Sequence, residues 1–146
     1  MFRLYSKGCE YAIRALIHMA PTDDKQRFQA KEICKKADIP ESFTRKIFQD
    51  LVSGGLLDAI PGPGGGYSIV KDVKEISLLE VIETVDGKNT FSGCILGLSE
   101  CNAIKPCPLH HAWALAKEEL LGQLAGQTLQ DLVDTTRNRN AKLKTH

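Results

Sequence analysis

The sequence predicts a mainly α-helical chain with one small β-hairpin: a winged helix-turn-helix, then a cysteine-bearing loop, then a long C-terminal helix. Three observations predict it. Apolar residues recur at helical spacing through most of the chain, and a tight Asp38-Ile39-Pro40 connection joins two helical stretches. Beyond them, Pro61-Gly62-Pro63-Gly64-Gly65-Gly66 cannot be helix and suits the tip of a hairpin. With 146 residues, 42% of them hydrophobic and 25% charged, the chain fits one globular unit with a modest core.

The elements follow in order. Ser6 is placed to cap a helix reaching about Met19, whose apolar face is Ala12, Ile13, Leu16, Ile17 and Ala20; Pro21 and the polar run up to Arg27 end it. A short helix is expected from Ala30 to Ala37 with Ile33 and Cys34 inward. The next, from Glu41 to Val52, turns Phe43, Ile47, Phe48 and Leu51 inward and leaves a polar, basic face outward. Gly54-Gly55 stops it, and strands at about Leu56–Ile60 and Tyr67–Val70 flank the glycine-rich tip. Ser77-x-x-Glu80 reads as a capping box opening an apolar helix that ends near Asp86-Gly87. After the cysteines, Leu109, Trp113, Ala116, Leu120 and Leu124 form a stripe suited to packing on another helix. Thr128 caps a last short helix, and the stretch from Arg137 onward, without apolar periodicity, is expected to be disordered. The expected regions are 1–75 for the winged helix-turn-helix, 76–135 for the cysteine loop and long helices, and 136–146 for a basic tail.

A net charge of +1 hides an asymmetry: cations outnumber anions in residues 1–50 and in the tail, whereas anions dominate residues 76–135. Any contact with nucleic acid therefore belongs to the N-terminal half. Arg14 and His18 interrupt the apolar run from Tyr11 to Ala20, and no stretch approaches the roughly 18 apolar residues of a membrane span. Five cysteines, an odd number, point to reduced thiols in a cytoplasmic protein rather than a secreted disulfide framework.

A helix, a tight turn, a second helix and a glycine-rich hairpin suit a double-stranded DNA operator: the second helix fits the major groove while the hairpin lies along the backbone. On that helix Arg45 suits a guanine edge or a phosphate, and Ser42 and Gln49 suit bases. Lys7, Lys31 and Lys46 suit phosphates, and Gly64, Gly65 and Gly66 would let the hairpin backbone approach the duplex. The loop lacks the Gly-Lys-Ser/Thr ending of a phosphate-binding loop, which argues against nucleotide binding, and nothing points to an enzyme.

The second constellation is Cys94-x6-Cys101-x5-Cys107, followed three residues later by His110. Soft thiolates in one loop suit an iron-sulfur cluster, of 2Fe-2S or 4Fe-4S type, and with a histidine they equally suit zinc. Cys9 and Cys34 read as packing residues.

Together, Ser6-Lys7-Gly8, the run from Gly55-Leu56-Leu57 to Gly64-Gly65-Gly66-Tyr67, Leu79-Glu80-Val81-Ile82, and Cys107-Pro108-Leu109-His110 before Trp113 resemble the Rrf-type transcription regulators, the IscR- and NsrR-like iron-sulfur family. The resemblance spans about residues 2–135. It implies a homodimer joined through the long C-terminal helix and repressor activity. It also implies a fourth, non-cysteine cluster ligand, either His110 or Glu10 contributed from the partner subunit. Where relatives often carry an arginine before the glycine run this chain has Pro61, and no Lys or Arg occurs from Ile47 to Val70.

The expected function is a dimeric DNA-binding regulator whose operator affinity follows an iron-sulfur cluster sensing redox state, iron or nitric oxide. A cluster-free or zinc-binding regulator of this fold, answering to thiol oxidation or a small ligand, is the alternative; a structural zinc protein binding a protein partner stands further off.

Overall fold

The computed structural model describes residues 4–20 and 27–144, with side chains as far as residue 139. Among the described residues the chain forms six helices and one two-stranded antiparallel sheet. Pro21 and residues 22–26, read as the end of the first helix, lie outside the described residues.

Helix α1 (Lys7–Met19) starts where Ser6, in extended conformation, accepts a hydrogen bond on its hydroxyl from the Cys9 N–H at 3.1 Å. Cys9, Ala12, Ala15 and Leu16 on its buried face are fully enclosed. Helix α2 (Ala30–Ala37) has only eight residues and would be marginal alone. Burial of Ile33, worth about 2 kcal/mol, holds it in the core more than propensity does. Asp38 closes it in the left-handed region at φ 55°, a conformation its short polar side chain tolerates.

Helix α3 (Glu41–Ser53) buries Thr44, Ile47, Phe48 and Leu51. This corrects one expectation: Phe43 is 46% exposed, and Thr44 takes the inward position. The reason is the period, because 44, 47, 48 and 51 complete the i, i+3, i+4, i+7 set and position 43 lies one step off it. The buried Thr44 hydroxyl is satisfied by the Cys34 thiol and by the carbonyl of Pro40 at 3.3 Å.

Strands β1 (Leu57–Ile60) and β2 (Gly66–Ile69) pair antiparallel, with Leu57 opposite Ile69 and Ile60 opposite Gly66. A third rung ties the hairpin to the start of α2, the N–H groups of Phe28 and Tyr67 each donating to the other's carbonyl at 2.8 Å. The hairpin tip is compact: a Cβ at Gly65 would stand 2.0 Å from the Ile60 carbonyl oxygen, so only glycine fits.

Helix α4 (Leu78–Asp86) packs against α1 and α3. Ser77 caps it, accepting from the Glu80 N–H at 3.0 Å, but the expected box is half made because the Glu80 carboxylate turns to Lys71 at 2.9 Å. After an irregular segment come α5 (His110–Gly126) and α6 (Leu129–Lys144). Thr128 and Asp131 form a reciprocal box, each backbone N–H donating to the other's side chain, at 2.9 and 3.1 Å. Helix α6 continues to Lys144, so residues 137–144, expected to be disordered, are helical; neither Pro nor Gly follows Gly126 to interrupt it.

Two apolar clusters result. The larger joins α1, α2, α3, the hairpin and Leu129 of α6; the smaller gathers Cys9, Ile82 and Phe91 with Leu120, Leu121 and Leu124 of α5. No described helix is long and apolar enough to cross a membrane.

Candidate functional site

The irregular segment between α4 and α5 folds through turns rather than through a core of its own. Phe91 anchors its start in the smaller cluster, and the Trp113 indole N–H donates to the Gly93 carbonyl at 3.1 Å. Between these fixed points the Sγ atoms of Cys94, Cys101 and Cys107 lie within 4.8 Å of one another. Cys94 and Cys107 are 3.7 Å apart, and the Cys107 N–H points at the Cys101 sulfur at 3.4 Å.

His110, the first residue of α5, brings Nδ1 to 3.3 Å from the Cys101 sulfur. The four side chains share one recess, whose wall includes Trp113 and Lys117. Backbone N–H groups stabilise thiolate here. Cys94 falls from the ordinary 9.0 to about 7, chiefly through Leu98 and with help from Leu96 and the neighbouring thiols, against some desolvation. Cys101 moves the other way: the Cys107 N–H favours its thiolate, but desolvation and the adjacent thiols together outweigh it. Three soft donors at this spacing, one of them readily ionised, fit an iron-sulfur cluster or a zinc ion.

Glu10 does not belong to this group within the chain. It pairs with Lys7 at 3.0 Å and with Arg14 at 2.9 Å on the first turns of α1. Cys9 beside it is wholly buried, its thiol pushed up to about 12 by desolvation and by Asp86, as suits a packing residue. Cys34 is buried against Thr44.

The second candidate surface is α3. Ser42, Arg45, Lys46 and Gln49 are all exposed on its outer side, and Lys31 is exposed on α2. Of the tip glycines, Gly64 faces open space, whereas Gly65 and Gly66 press on the chain's own backbone at Ile60 and Phe28. Arg27, beside the hairpin, reaches Asp58 at 3.5 Å. Phe43, expected inward, stands exposed beside the basic face; the complete 44, 47, 48, 51 set was the signal that places it outward.

Along α5 no residue is fully buried. Leu120 and Leu124 pack on the smaller cluster, while Leu109 and Leu115 stay 43% and 57% exposed.

The model of the Rrf2 family, described as iron-dependent transcriptional regulators, matches residues 5–135. The HTH-type transcriptional regulator IscR of Klebsiella pneumoniae is 33% identical over 132 residues, covering 90% of this chain and 80% of that protein. Among solved structures, CymR, the global cysteine regulator of B. subtilis, superimposes with a TM-score of 0.74 at 20% identity, over 92% of this chain and 98% of its own. IscR of T. potens does so with a TM-score of 0.70 at 18% identity, over 90% and 86%.

Proposed function

The chain belongs to the Rrf2 family of transcriptional regulators, and on that premise we propose that it is a cytoplasmic homodimeric repressor whose grip on a DNA operator is set by an iron-sulfur cluster. The observation that carries this reading is the convergence of Cys94, Cys101 and Cys107 within 4.8 Å, immediately ahead of α5.

His110 is the favoured fourth ligand, since its Nδ1 already stands 3.3 Å from the Cys101 sulfur. Glu10 of the partner subunit is the alternative. It would have to leave Lys7 and Arg14, but exposed pairs of this kind are worth only about 0–1 kcal/mol each, so the exchange is inexpensive. When bound, the cluster supplies a centre open to oxidants and nitric oxide, whose potential histidine ligation raises above that of four thiolates.

The chain's own residues do the rest. Cys94, Cys101 and Cys107 hold the loop closed, and Trp113 and His110 tie that loop to the first turn of α5. The open Leu109 and Leu115 suit the same helix of a second copy. Loop closure thereby governs how two α5 helices meet, and so the separation of two α3 helices, which a duplex requires near about 34 Å. Arg45, Ser42 and Gln49 read bases; Lys7, Lys31 and Lys46 hold phosphates; Gly64 lets the hairpin tip lie close to the backbone.

One observation favours a second reading. Three cysteines with a neighbouring histidine nitrogen are an accepted zinc set, which would make the loop structural. Anaerobic purification, with an absorption spectrum and iron, sulfide and zinc analysis, separates the two. The cluster reading expects a coloured protein with iron and sulfide that Cys101→Ser bleaches; colourless protein with stoichiometric zinc defeats it.

A further inference from the structure

Phe43 occupies the third position of α3 and is 46% exposed, a large apolar side chain on an otherwise polar surface. It is not loose. Its ring meets Tyr11 edge-on, with centroids 5.5 Å apart and planes at 67°, and Tyr11 is itself buried. Cations surround this aromatic pair: the Lys7 ammonium lies 5.3 Å and the Arg14 guanidinium 5.8 Å from the centre of the Tyr11 ring, and Lys46 follows Phe43 by one turn. Glu10 offsets part of that charge through its pairs with Lys7 and Arg14.

A fixed aromatic at the start of a recognition helix, flanked by cations and by the base-reading Ser42, fits one occupant better than any other. Phosphates are drawn to the cations, and the apolar ring is left facing the base edges of the major groove. There the one apolar group is the C5-methyl of thymine. Resting on the DNA-binding reading above, we infer that Phe43 is a specificity residue that packs on a thymine methyl of the operator. Tyr11 is its positioning residue, fixing the ring so that little freedom is lost on binding.

The test selects duplexes from a random pool with the wild-type protein, then replaces each thymine in the selected half-site by deoxyuridine, which deletes only the methyl. One such replacement should weaken wild-type binding about fourfold, the worth of one buried methyl group. The same replacement should leave Phe43→Ala binding unchanged, while Phe43→Leu keeps a reduced sensitivity. Phe43 is half out of the core, so Phe43→Ala retains its fold, which circular dichroism verifies. Equal methyl sensitivity in wild type and Phe43→Ala, or none in wild type, overturns the inference while leaving DNA binding intact. Failure of the wild-type protein to select any duplex sinks the DNA reading itself, and this inference with it.

Discussion

Ser6 and Asp86, eighty residues apart, are joined by two hydrogen bonds: the Ser6 N–H donates to Oδ2 at 2.8 Å and its hydroxyl to Oδ1. The same hydroxyl accepts from the Cys9 N–H, so a single serine starts α1 and fastens it to the last residue of α4. Asp86 directly precedes the irregular segment that carries the cysteines, so this pair, like the packing of Phe91 on Cys9, ties that segment to the helix carrying Lys7.

Removing the carboxylate in Asp86→Ala should cost about 1 kcal/mol, and Ser6→Ala, which also loses the cap, about 2 kcal/mol. Urea unfolding should show lower midpoints with unchanged slope. Unaltered midpoints in both variants would mean that the pair contributes nothing.

Gly65→Ala should destabilise the protein by more than about 2 kcal/mol, because its Cβ would collide with the Ile60 carbonyl oxygen at 2.0 Å. Gly64→Ala meets no atom within 4 Å and pays only for φ +76°, about 1 kcal/mol. Thermal melts of the two variants should rank in that order.

Arg45→Ala should erase discrimination between selected and scrambled duplexes while retaining much of the non-specific affinity. Lys7→Ala should weaken binding to every duplex alike and lower the salt slope by about one unit. Titrations at several salt concentrations check both; variants indistinguishable from wild type would remove α3 and α1 from the interface.

In metal-free protein the Cys94 thiol, lowered to about 7, should be alkylated fastest. A depressed thiol is thiolate above its folded value, so the rate stays high above about pH 7 and falls as pH drops through it. Cys9, pushed up to about 12 by burial, should remain unmodified until the protein unfolds. Mass spectrometry after a brief iodoacetamide pulse resolves the order, and early labelling of Cys9 would contradict it.

Local chemistry made much of this molecule legible from sequence. Ser6, Ser77 and Thr128 each cap the helix they were read to cap, because a hydroxyl finds its N–H within three residues. The cysteine spacing likewise announced a donor set, which the fold draws together. What escaped was decided by partners distant in sequence or by the exact phase of a helix. The Glu80 carboxylate turns to Lys71 rather than closing its box, Gly66 abuts Phe28, and Phe43, expected inward, yields the inward position to Thr44. In the tail, low hydrophobicity concealed a segment that has no helix breaker. The nearness of His110 to Cys101 could be guessed from spacing, but its nitrogen-to-sulfur geometry follows from where α5 begins.

Leu129 opens α6, yet it is fully enclosed in the same cluster as Leu16, Phe48 and Leu51. During synthesis, therefore, α2, the hairpin and α4 can close on α1 and α3 first, and the place that Leu129 fills stays open until more than a hundred residues have left the ribosome. An early stop codon in α5 would remove that last apolar piece and leave α1 and α3 with an exposed hydrophobic gap of the kind that promotes aggregation.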